Sequence, residues 1–104
     1  MSAGGEGNPE RAVAELVDEA SISRLAPAHV LSAGVDEAER GGVRLEEVGP
    51  MLVTARVGYA HVELRSAGGL AWSCTCRDGQ AGAFCVHVAA AAVETWRRAR
   101  ERDG

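Results

Sequence analysis

Cys74, Cys76, Cys85 and His87 lie within one short stretch, Cys74-Thr75-Cys76, then eight residues, then Cys85-Val86-His87, and the chain has no other cysteine. In a β-strand, residues two apart point to the same face, so Cys74 and Cys76 can present both sulfurs to one point in space. Tetrahedral zinc requires such convergence: with Zn–S near ~2.3 Å and Zn–N near ~2.0 Å, the four donors sit less than ~4 Å from one another. Gly79 and Gly82 supply the flexible turn that closes the pair of ligand segments. On a regular helix Cys85 and His87 would point to opposite sides, so Cys85 is expected at or before the first turn of a helix. A helix start also favours thiolate over thiol, the form a metal needs. Three thiolates, one imidazole and Zn²⁺ leave a formal charge of about −1, which Arg77 or the free N–H groups of the helix start are placed to offset. A Cys74–Cys76 disulfide would be strained across one strand face. A cysteine nucleophile with a histidine base needs an accessible thiolate and an oxyanion site, which a saturated four-ligand centre does not offer. No enzyme activity is expected.

The elements that must position these ligands follow from punctuation and periodicity. Residues 1–8 are glycine-rich and polar and read as a flexible leader. Residues 9–40 read as a helical segment. Asn8 caps a helix with Pro9 and Glu10 in its first turn and Val13, Leu16, Val17 and Ala20 on one face. A second helical pattern runs through Ile22, Leu25, Ala26, Val30 and Ala33; Pro27 requires that helix to start beside it, and Gly34 reads as its stop. From Gly41 onward, Val43-Leu45-Val48, Leu52–Val57, Val62-Leu64 and roughly Leu70–Cys76 are β-prone runs split by Gly49-Pro50, Gly58 and Gly68-Gly69. They predict an antiparallel meander of three or four strands. A last helix is expected from about Cys85 to Arg100, with Ala89, Ala92, Val93 and Trp96 on its buried face. The fold class is therefore α+β, with residues 41–104 forming the β-meander and metal module of one compact domain.

Composition narrows the function classes. All eleven basic residues are arginine, and fifteen acidic residues give a net charge of −4. An acidic balance opposes whole-surface attraction to nucleic acid or to an anionic membrane. Arg97, Arg98, Arg100 and Arg102 are the candidate phosphate-contacting patch, although cations at a helix C-terminus are also favoured by the helix dipole. Trp72 and Trp96 read as core, and His29 and His61 lack ligand spacing to the cluster. No run approaches a membrane span. The first ten residues have no secretory-signal pattern, so a reducing cytoplasmic compartment is expected, where clustered cysteine with histidine reads as a metal site.

Cys-x-Cys, a short glycine-containing loop and Cys-x-His, with Phe84 before the third cysteine, resemble the SWIM-type zinc finger. The likeness covers about Met51 to Arg100, and the stretch from Arg24 to Val48 is similar to the region upstream of bacterial members. Arg77 stands where many members have proline. Val86 stands where lysine is common, which removes one argument for DNA contact. The resemblance implies one structural zinc ion and a protein-interaction adaptor whose partner is a helicase or ATPase acting on DNA. Direct nucleic-acid binding and thiol redox sensing with zinc release are the competing expectations.

Overall fold

The structure, a computed structural model, describes residues 12–103, with the side chains of residues 102 and 103 outside it. The leader over residues 1–8 and the helix start at Asn8, Pro9 and Glu10 lie outside the described residues.

The β-branched runs form a four-stranded antiparallel meander, β1 (Val43–Val48), β2 (Leu52–Val57), β3 (Ala60–Ser66) and β4 (Leu70–Cys74), in the sheet order β1-β2-β3-β4. The β2–β3 connection is the two residues Gly58-Tyr59, and Gly58 takes φ +61° there. Glycine at the first position of a two-residue hairpin turn meets that demand without a Cβ clash. Register then places Leu45, Ala55, Val62 and Cys74 side by side across one face. Ala55 and Val62 on that row are fully buried, so the first metal ligand closes an apolar row of the core. The opposite face is polar: Glu46 lies 3.3 Å from Arg56 and 3.8 Å from His61, which in turn lies 4.0 Å from Glu63. A register shift between Leu45 and Glu47 leaves Glu46 unpaired on the edge strand. A bulge flanked by acidic side chains blunts an edge that would otherwise template further pairing.

The N-terminal part holds three helices, α1 (Val13–Leu16), α2 (Glu19–Leu25) and α3 (Ala28–Glu39). Val13, Leu16, Val17 and Ala20 do not share one helical face: Val13 and Val17 are buried, Leu16 is half-buried and Ala20 is exposed. The chain extends at Asp18 (φ −65°, ψ 164°), which precedes α2 and takes a hydrogen bond from Ser21 Oγ, so Ala20 belongs to a differently directed helix. Ala26, before Pro27, is extended as the proline ring demands, and Pro27 stands at the start of α3. Gly34 does not stop that helix. It is buried in the middle of α3, and the helix runs five residues further to Glu39, just before Gly41 adopts φ +79°.

A one-turn helix α4 (Arg77–Gln80) follows β4, and the long α5 (Val86–Asp103) closes the fold. The expected single buried stripe of α5 is an underestimate: every residue from Val88 to Val93 is buried. Six consecutive buried positions exceed one face, so this part of α5 is enclosed on all sides. The sheet lies against it, α1 and α2 touch it, and α3 makes the largest helix–helix contact with it. Alanine at four of those positions lets the neighbours approach closely. Trp72 and Trp96 pack half-buried against this core. Among the described residues, no helix is long and apolar enough to cross a membrane.

Candidate metal centre

The first ligand, Cys74, is the last residue of β4, and its side chain faces inward beside Val62. The second, Cys76, is extended (φ −73°, ψ 168°) and caps the N-terminus of α4. Cys85 directly precedes α5, and its carbonyl accepts the first α-helical bond from the Ala89 N–H at 2.9 Å. His87 follows in the first turn. Phe84, edge-on to Trp72 with ring centroids 4.9 Å apart, pins the chain just before Cys85. Tyr59, 80% exposed at the hairpin tip, packs edge-on against the His87 ring at 5.6 Å and restrains the imidazole plane.

The donor atoms of Cys74, Cys76, Cys85 and His87 all lie within 4.8 Å of one another. Cys76 Sγ is 3.6 Å from Cys85 Sγ, and His87 Nδ1 is 3.8 Å from Cys74 Sγ and 4.0 Å from Cys85 Sγ. Zinc bonds of the usual length give tetrahedron edges of about 3.8 Å between sulfurs and about 3.5 Å between sulfur and nitrogen. The three short separations are within about half an ångström of those edges, with Nδ1 as the imidazole donor. The donor set, three thiols and one imidazole, is one that zinc takes in closed four-coordinate sites.

Each sulfur also meets one backbone N–H. Gly79 N–H donates to Cys76 Sγ at 3.3 Å, and the N–H groups of Cys76 and Val88 favour the thiolates of Cys74 and Cys85 respectively. These donors spread the excess negative charge of a three-thiolate centre. Arg77, the other candidate for that role, is exposed on the first turn of α4. Gly79 does more than loosen a turn. A Cβ there would stand 2.4 Å from Cys74 Cβ and 2.8 Å from the Cys74 carbonyl oxygen, so the α4 turn can lie against the ligand strand only because that position has no side chain. Gly82, at φ +92°, is the glycine that supplies backbone freedom in this loop.

Burial pushes the Cys74 thiol up to about 12 and also raises Cys85. Burial acts upward on Cys76 too, but the Gly79 N–H, His87 and the neighbouring sulfurs outweigh it and bring that thiol down to about 7. At pH 7 the metal-free centre therefore carries protons on Cys74 and Cys85 and on part of the Cys76 population. Zinc requires all three as thiolates, so loading at pH 7 should release between about two and three protons, and affinity should fall as pH falls. Calorimetric titration of zinc in buffers of different ionisation enthalpy counts them. A release below about one proton would contradict this ligand set.

Of the candidate C-terminal arginines, the three whose side chains are described fall on two sides of α5. Arg97 and Arg100 border a groove shared with Glu19, Glu39 and Glu101, and Arg100 stacks over Trp96 at 4.8 Å. Arg98 points to another side, toward the Gly49-Pro50 turn, 3.8 Å from Glu94. The Arg102 side chain lies outside the described ones. His61 stands between two carboxylates on the polar sheet face and His29 is exposed; neither reaches the thiol cluster. Thr75, Gln80 and Tyr59 are the residues around the site that spacing alone did not single out. A hydroxyl residue between two ligands was the available signal.

Residues 60–94 match the family model of the SWIM zinc finger, a segment that runs from the start of β3 into α5 and contains all four donors. Comparison with curated proteins and with solved structures returns no match.

Proposed function

We propose that the chain, which carries a SWIM zinc finger at residues 60–94, is a non-catalytic protein-interaction adaptor in which one zinc ion is a structural staple. The observation that supports this reading most directly is the closure of the centre. Four protein donors converge on one point and all three sulfurs are buried. Three thiolates and an imidazole fill a tetrahedron and leave no position for a reacting water. A groove of about 580 Å³ between α2, α3 and α5, floored by Ile22, Leu31, Val35, Val93 and Trp96, offers a concave apolar surface of the kind a partner helix uses. The partner class we favour is a helicase or ATPase that acts on DNA, as the SWIM resemblance implies. Direct nucleic-acid binding is the weaker alternative, because the net charge is −4 and Arg97, Arg98 and Arg100 point to two sides of α5.

Affinity purification of the zinc-loaded chain from its source cells, with and without nuclease, tests the reading together with a salt titration against single- and double-stranded DNA. The adaptor reading expects a stoichiometric ATPase or helicase that survives nuclease, and no DNA binding at low salt. Submicromolar DNA affinity that collapses steeply with salt would transfer the function to nucleic acid.

A further inference from the structure

Thr75 stands between the first two zinc ligands, and each of its polar groups is committed. Its N–H donates to the His61 carbonyl at 3.1 Å. Its hydroxyl accepts the His61 N–H at 2.9 Å. Its carbonyl accepts a hydrogen bond from Gln80 Nε2 at 2.7 Å. In a regular antiparallel hydrogen-bonded pair, the two facing residues exchange N–H···O=C bonds through the backbone alone. Here the Thr75 hydroxyl replaces the residue's own carbonyl in that exchange, and the freed carbonyl turns to Gln80 at the end of α4. The ladder can thus end one residue beyond Cys74 without orphaning the His61 N–H. The backbone meanwhile leaves the sheet in time for Cys76 to cap α4 and aim its sulfur back at Cys85.

We infer that Thr75 and Gln80 form a latch that sets the spacing between the Cys74 and Cys76 sulfurs and thereby governs how tightly the centre holds zinc. The inference rests on the zinc reading of the four-donor cluster. Thr75 is a positioning residue, acting through the two ligands that flank it. A valine in its place keeps the β-branched shape and strand preference while deleting the hydroxyl; a serine keeps the hydroxyl and deletes the methyl. The position is exposed, so neither change disturbs the core. Gln80 is exposed as well, and Gln80→Ala removes only the donor to the Thr75 carbonyl.

The test is competition for zinc against a chromophoric chelator, run on wild type, Thr75→Val, Thr75→Ser and Gln80→Ala, with the visible spectrum of the cobalt(II)-loaded proteins recorded alongside. Thr75→Val is expected to weaken zinc binding about 10–100-fold, the usual cost of losing a group that orients metal ligands. It should also shift the cobalt ligand-field bands, because the bound geometry changes. Thr75→Ser should restore both affinity and spectrum, and Gln80→Ala should lie between the two. A merely structural role would lower stability and leave the spectrum of the bound fraction unmoved. Equal affinity and identical spectra for wild type and Thr75→Val would overturn the latch. A wild-type protein that takes up no zinc would instead remove the underlying zinc reading.

Discussion

Replacing Cys85 by serine is expected to weaken zinc binding by about two to three orders of magnitude and to release residues 75–87 while much of the remaining fold persists. Structural zinc sites in small finger peptides bind with roughly 10–16 kcal/mol of apparent free energy at pH 7. An even share among four ligands is about 2.5–4 kcal/mol, or on the order of 10²–10³ in affinity for one lost thiolate. Cys85 is the most consequential choice because it joins three roles: it is 3.6 Å from Cys76 Sγ and 4.0 Å from His87 Nδ1, and it starts α5. The serine hydroxyl preserves the helix start, since serine is itself a favoured capping residue, so any loss reports on the metal and not on the helix end.

The distribution of the loss is as informative as its size. Residues 81–83 are exposed and, with α4, are held to the sheet chiefly through Cys76, Gly79, Gln80 and the Phe84–Trp72 contact. Residues Val88–Val93 of α5, by contrast, are enclosed by α3 and the sheet without help from the metal. Hydrogen exchange after chelation, and in Cys85→Ser, should show protection lost from residues 75–87 and retained in the middle of α5 and in β2 and β3. Native mass spectrometry, with zinc limited to the level that just saturates wild type in the presence of a competing chelator, should show one zinc ion in wild type and a much lower occupancy in the variant. Equal occupancy of the two proteins would eliminate the four-ligand assignment.

The metal centre was legible in the sequence because its chemistry is local: two Cys/His pairs with spacing two, joined by a short loop, force convergence whatever the rest of the chain does. The strands were legible for a similar reason, since Gly49-Pro50, Gly58 and Gly68-Gly69 punctuate β-branched runs at the places where the structure turns. What spacing did not carry was the reason for particular small or polar residues. Gly79 read as freedom and is in fact space, because its missing Cβ lies where the Cys74 backbone passes. Thr75 read as a strand residue and is a substitute carbonyl for His61. Ala89 and Ala92 read as part of one stripe, yet Ala90 and Ala91 between them are buried as well; alanine fits an amphipathic helix and an enclosed one equally, and only the placement of α3 and the sheet distinguishes them.

The same ambiguity governs Gly34, whose substitution should separate helix propensity from packing. Glycine inside a helix costs about 1 kcal/mol relative to alanine, so propensity alone predicts that Gly34→Ala stabilises α3. The structure predicts the opposite sign. A Cβ at Gly34 would lie 2.6 Å from Ala89 Cβ, 2.9 Å from the Ala90 nitrogen and 3.0 Å from the Ala89 carbonyl carbon. Two of those three atoms are backbone, so no side-chain rotation relieves the contact, and α5 cannot recede because the sheet stands behind it. Overpacking of this kind costs about 1–3 kcal/mol, and helix separation would forfeit further contacts along the whole α3–α5 seam. Gly34→Ala is therefore expected to lower stability by about 1–2 kcal/mol net, a fall of roughly 5–10 °C in Tm for a domain of this size, and Gly34→Val by more. Combining Gly34→Ala with Ala89→Gly removes the shortest contact and should recover part of the loss, giving a non-additive cycle between the two positions. Thermal unfolding of the four proteins, each loaded with zinc, measures that coupling directly. A rise in Tm for Gly34→Ala alone would mean that the two helices do not meet as closely as the fold requires.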